Sequence, residues 1–164
     1  MPEPRLISGS LAAALNVQAG NEFGASLQYV SISAYFASKE LRLLAKLFSD
    51  QAEEERSHAL KLTDYLIKAG AGVQIPAIAA PRHDFSSADD AVRAALDWEV
   101  EVAGQFNRLM EQATAENDYL AQEFLGWFVT EQLEEVSKMR RLHTIVRSAR
   151  NNLLIVEAYL VHGE

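Results

Sequence analysis

The chain contains no cysteine, which excludes disulfides, thiolate zinc sites, rubredoxin-type iron centres and cysteine nucleophiles together. Basic residues number 15 against 23 acidic ones, and they form no run anywhere. Binding to nucleic acid or to anionic lipid is therefore disfavoured, and the net charge of −8 makes cations the expected partners. No apolar run of ~18 residues, the length a membrane-crossing helix needs, is present. The first residues, Met1-Pro2-Glu3-Pro4-Arg5-Leu6, lack a basic segment followed by an apolar core, so the expectation is a cytoplasmic protein. Proline (4) and glycine (8) are scarce while apolar residues make up 49% of 164 positions, which predicts one compact, mainly helical domain over residues 1–164.

What is present in abundance is helical periodicity. A first pattern runs from about Ser8 or Ser10 to Ala37, with an inward stripe through Leu11, Leu15, Ala19, Glu22, Ala25, Tyr29 and Phe36. A second begins near Lys39 and ends before Gly70, with Leu44, Phe48, Ala52, Glu55, His58, Leu62 and Leu66 on one face. After a break that holds Gly70, Gly72, Pro76 and Pro81, Ser86 or Ser87 followed by Asp89 or Asp90 reopens a helix in a weak capping-box pattern. Its stripe is Val92, Ala95, Glu99, Val102, Phe106 and Leu109. A turn near Glu116-Asn117-Asp118 leads to the fourth, with Leu125, Phe128, Gln132, Glu135, Met139 and Val146.

Short links make the first and second helices, and the third and fourth, antiparallel neighbours. The long break is different, because ~16 residues can extend roughly 50 Å while a helix of ~28 residues is roughly 42 Å long. The connection can cross the whole bundle. The predicted architecture is all-α: a four-helix bundle at about 8–147 with one long crossover between its second and third helices. A short fifth helix at about 149–162 is apolar almost all round and too short to span a membrane, so a neighbouring subunit is its expected cover.

Glu55 and His58 interrupt an otherwise apolar stripe three residues apart, and on a helix that spacing brings both side chains within reach of one ion. Alone, a Glu-x-x-His is a weak signal with a surface ion pair as its ordinary explanation. Glu22, Glu99 and Glu135 change that reading, since each also lies in an apolar stripe near the midpoint of its own helix. Midpoints meet at one level whichever way helices run. Carboxylates buried without partners would be costly, and a metal ion is the economical partner. Four carboxylates and one imidazole suit Fe(II) or Mn(II) better than a structural zinc site. Two divalent ions would also balance the four negative charges, with His58 neutral.

These stretches resemble the non-haem bacterial ferritins of the ferritin-like superfamily: Asn21-Glu22-Phe23 with Tyr29 seven residues on, Glu54-Glu55-Arg56-Ser57-His58, Trp98-Glu99, and Trp127 to Glu135. The resemblance covers essentially the whole chain. It implies a first iron held by Glu22, Glu55 and His58, with Glu55 bridging to a second iron held by Glu99 and Glu135. Gln132 would lie beside the pair, and Tyr29 matches a tyrosine kept next to the oxidation centre. Glu54, Glu131 and Glu134 would supply a third site together with Glu135. The implied function is iron storage: a shell of 24 subunits that oxidises Fe(II) with dioxygen or peroxide and keeps ferric mineral inside.

Departures from neighbouring families are informative. Bacterioferritins carry a second Glu-x-x-His where this chain has Gln132-x-x-Glu135, and a haem-ligating methionine where it has Arg56, so no haem is expected. Two other readings remain open at this point: a catalytically inert cage subunit or metal-binding scaffold, and a diiron oxygenase. Trp127 is expected as a core or interface aromatic, and His83 and His143 as surface histidines. His162 falls in the terminal helix, which by resemblance would line a symmetry-axis pore.

Overall fold

The computed structural model describes residues 4–162. Five helices follow in order: α1 Gly9–Ala37, α2 Arg42–Lys68, α3 Ala88–Ala115, α4 Tyr119–Ser148 and α5 Leu153–His162, and no strand occurs among the described residues. Three of the four long helices start on their own side-chain caps. Ser8, Ser87 and Asp118 accept from the backbone N–H three residues on, satisfying a donor that the first turn leaves free. The Asp90 carboxylate takes the backbone N–H of Ser86, one residue outside the cap, so the reciprocal bond of a capping box is displaced by one position.

Helix α2 begins at Arg42, three residues later than its periodicity suggests. The chain reverses through Ser38 to Leu41 with Glu40 at φ 60°, a left-handed conformation that no helix can include. No side chain of the preceding turn caps α2. The cap comes from the far end of the chain: the Glu157 carboxylate on α5 accepts from the backbone N–H groups of Leu43 (3.0 Å) and Leu44 (2.9 Å). A negative charge there also complements the positive end of the helix dipole.

Contacts fix the helix directions. Ser26 and Ser33 on α1 donate to the carbonyls of Ala52 and Ala45 on α2, so these two run antiparallel. Between α1 and α3, Gln18 pairs with Gln105 while Tyr29 reaches Ala95, again an antiparallel match. Helices α2 and α3 are therefore parallel, as a long crossover requires. Between Ala69 and Ser87 the chain has no regular structure and runs along α1. Asn16 holds its start through Gly72 and Gln74, and Gln28 and Ser31 bind its Arg82 carbonyl further along. Midway, Pro76 seats on Gly20, where a Cβ would lie 2.6 Å from the proline ring.

Two apolar clusters form the core. One gathers Tyr29, Ile32, Phe36, Phe48, Val92, Met139 and Val146; the other gathers Leu11, Leu15, Leu62, Leu66, Phe106, Leu125 and Phe128. The stacked rings of Phe106 and Phe128, 4.6 Å apart, close the second cluster toward the centre of the bundle. Between the two clusters lies a buried polar layer. On α5 only Val156 is fully covered, while Leu154, Ile155 and Val161 are exposed. No helix among the described residues is long and apolar enough to cross a membrane.

Candidate metal centre

The polar layer is made by Glu22, Glu55, His58, Glu99, Gln132 and Glu135, all buried. Each sits where the apolar stripe of its helix would otherwise continue, so the packing that buries the stripe carries the polar group inward with it. Two sets of potential ligand atoms result, each within 4.8 Å of one another: Glu22, Glu55 and His58, and Glu55, Glu99 and Glu135. Glu55 belongs to both. A third set, Glu54, Glu131 and Glu135, opens toward solvent on the α2–α4 side. Glu134 is exposed and belongs to none of the three sets.

Neutral donors hold these carboxylates. Gln18 donates to one Glu22 oxygen at 2.9 Å, leaving the other buried without a hydrogen-bond partner. Gln51 donates to both Glu55 (2.9 Å) and Glu135 (2.6 Å) through its side-chain amide. Tyr29 donates to one Glu99 oxygen and Gln132 to the other at 3.0 Å. The unpartnered Glu22 oxygen and the buried, equally unpartnered Gln132 oxygen face a layer with spare acceptor capacity. That is the chemistry of a cation site: oxygen donors in excess, one imidazole, and no sulfur.

Electrostatics agree. Burial, with the nearby Glu22 charge, pushes the Glu55 carboxyl up to about 7 despite its bond to His58. Burial and the Glu55 charge push Glu99 up to about 8. Glu135 also rises to about 8, since burial outweighs the opposing Lys138 ammonium. For His58, burial works downward, but its hydrogen bond to Glu55 and the charges of Glu55 and Glu22 prevail and raise it to about 10. Its Nδ1 lies 3.2 Å from Glu55 and 3.8 Å from Glu22. In the metal-free protein an imidazolium therefore serves as the cation between two carboxylates. Burial first and the Glu99 charge second hold the Tyr29 phenol protonated well beyond its usual range, so it remains a donor.

Around the layer, the His58 ring meets Trp127 edge-on at 5.5 Å, and the Lys61 ammonium lies over the indole at 3.3 Å. Trp127 is thus a half-exposed packing aromatic. His83 is exposed, as expected, and so is His162. His143 is not: it is buried, and its Nε2 is 3.0 Å from Asp89 at the start of α3. Three participants escaped the sequence reading, namely Gln18, Gln51 and Lys138. The glutamines had a signal, since each stands four residues before a site glutamate and so one turn ahead on the same face.

Fold and site together define a bundle that carries a carboxylate-rich centre between its helices. The ferritin-like domain family model matches residues 12–148. Over 148 residues the chain is 40% identical to ferritin BfrB of Mycobacterium tuberculosis, covering 90% of this chain and 82% of the relative. Over 132 residues it is 37% identical to a bacterial non-heme ferritin of Staphylococcus aureus, covering 80% of each. Among solved structures, an open pore ferritin from the archaeon Archaeoglobus fulgidus superimposes with a TM-score of 0.91 at 28% identity, covering 97% of this chain and 99% of that one. This chain belongs to the ferritin family.

Proposed function

We propose that the chain is the subunit of an iron-storing homo-oligomeric cage, of 24 copies, and that its polar layer is a ferroxidase centre. The observation that carries this reading is the sharing of Glu55 by two buried three-ligand sets. Fe(II) is the substrate. One ion binds Glu22, Glu55 and His58; a second binds Glu55, Glu99 and Glu135. Two ferrous ions held side by side supply together the two electrons that reduce dioxygen to peroxide, which avoids releasing superoxide. The four carboxylates carry the charge of two Fe(II) ions, provided that His58 and the raised carboxyls give up their protons on loading.

The protein's other residues position this set. Tyr29 and Gln132 orient Glu99, Gln51 ties Glu55 to Glu135, and Gln18 holds Glu22. Both residues on the outer side of Glu135, Glu54 and Glu131, offer a route by which product leaves the centre, or a third binding position. The uncovered apolar side chains of α5 support assembly, because Leu154, Ile155 and Val161 would gain from burial against another copy.

The test is aerobic addition of Fe(II) to the metal-free protein, followed by size-exclusion chromatography with iron and protein measured across the elution. Rapid oxidation and hundreds of irons travelling with a very large assembly are expected, and Glu55→Ala should oxidise iron no faster than buffer. A small oligomer retaining about two irons per chain would refute storage and favour a diiron oxygenase. A large shell with no oxidation above buffer would identify an inert cage subunit.

A further inference from the structure

Lys138 stands one turn beyond Glu135 on α4 and points its ammonium at the outer carboxylate group. The Nζ donates to the Gln51 side-chain oxygen at 2.6 Å, and lies 3.5 Å from Glu54 Oε2 and 3.9 Å from Glu135 Oε2. Glu54 and Glu135 are two of the three members of the outer set. The cation seated there is thus already part of the chain. A metal ion bound by the same two carboxylates would sit about 2–2.5 Å from their oxygens, inside the space an ammonium at 3.5 and 3.9 Å already neutralises. The two cations cannot share that position without strong repulsion.

We propose that Lys138 is a built-in counter-ion that competes with a third metal ion for Glu54, Glu131 and Glu135, so that this subunit loads two ions tightly and a third only weakly. The inference rests on the dinuclear reading above and adds a specificity-determining residue to it. Lys138 touches neither Glu22 nor His58, and Gln51 makes its bonds to Glu55 and Glu135 through its amide nitrogen, whereas Lys138 binds its oxygen. Removing the ammonium leaves all the ligands of the inner pair present while it vacates the outer position, and of the inner ligands only Glu135 loses a facing charge. A long apolar side chain is tolerated there because Lys138 is part-exposed.

The experiment is a calorimetric titration of the metal-free assembled protein with Zn(II), an ion that does not oxidise. The wild type should bind two ions per subunit tightly and a third at least tenfold more weakly. Lys138→Met should tighten the third ion by at least tenfold, a larger change than in either of the first two, Lys138→Arg should behave as the wild type, and adding Glu54→Gln to Lys138→Met should abolish the gain. Three ions of equal affinity in the wild type, or superimposable isotherms for wild type and Lys138→Met, would overturn the proposal. A wild type that takes up no tight pair of ions would overturn the dinuclear reading itself, an outcome read from the first two ions and distinct from any change in the third. Circular dichroism and size exclusion establish that each variant is folded and assembled before the comparison is made.

Discussion

Loading the centre must expel protons, because the groups that would hold the ions are held protonated beyond their usual ranges. At pH 7 the Glu99 and Glu135 carboxyls, both pushed up to about 8, keep protons that ordinary carboxylates would have lost; Glu55, pushed up to about 7, keeps its proton in part, and His58, raised to about 10, is protonated. Two divalent ions bound by ionised carboxylates and a neutral imidazole therefore displace more than one proton per subunit. At pH 9 the three carboxyls have given up most of their protons while His58 still holds its own, so the number falls. The sign follows from the direction of the shifts. Every one of the four groups is raised, so the metal-free protein holds protons that metal must displace, and apparent affinity climbs with pH from below 7 toward 10. Zn(II) binding measured in pairs of buffers with different ionisation enthalpies gives the proton count directly, since the heats differ by that count times the difference in buffer enthalpy. Release of fewer than one proton per subunit at pH 7, or a count that does not drop by pH 9, would refute the assignment of these groups as ligands.

Two further outcomes follow from groups outside the ligand set. Gln51→Leu removes the donor shared by Glu55 and Glu135 and leaves two buried carboxyls under-satisfied, a loss of about 1–3 kcal/mol for the metal-free protein; thermal unfolding with and without Zn(II) should show the deficit shrinking when the ions are bound. Glu157→Ala uncaps α2 at a cost of about 1–2 kcal/mol, and hydrogen exchange should show the Leu43 and Leu44 amides losing protection; unchanged protection would mean that α5 holds α2 by apolar contact alone.

Helix existence, the long crossover and the inward glutamates were all legible in the sequence, and for one reason. A stripe of Leu, Phe and Ala fixes which face is buried, so a Glu or His within the stripe has its destination set by its neighbours. The start of α2 was not legible, because no signal in Ser38-Lys39-Glu40-Leu41 announces that Glu40 turns left-handed, and because its cap is supplied from Glu157, more than a hundred residues away. His143 was misjudged for a related reason. It lies one residue past Leu142 in the α4 stripe, within the span of buried positions, and its contact with Asp89 depends on how α3 lies across it.

The glutamines carry the larger lesson about reading a buried polar layer. A carboxylate placed inside a core needs donors as well as metal, and the positions from which a neighbour on the same helix can reach it are one turn away. Gln18, Gln51 and Gln132 occupy such positions ahead of Glu22, Glu55 and Glu135 on three of the four helices. The first two reach their own glutamate, whereas Gln132 reaches across to Glu99. On α3 the position one turn ahead of Glu99 is Ala95, which offers no donor. There the need is met from α1, where the Tyr29 hydroxyl comes down beside the Ala95 carbonyl and donates to Glu99. Tyr29 thus acquires a structural reason for its place that is independent of any redox role: it supplies α3 with the donor that α1 and α2 supply for themselves. The consequence separates the two roles. Tyr29→Phe leaves Glu99 short of one donor in the metal-free protein, whereas bound metal ions satisfy that oxygen directly, so a purely structural Tyr29 matters for stability before loading and little for oxidation after it.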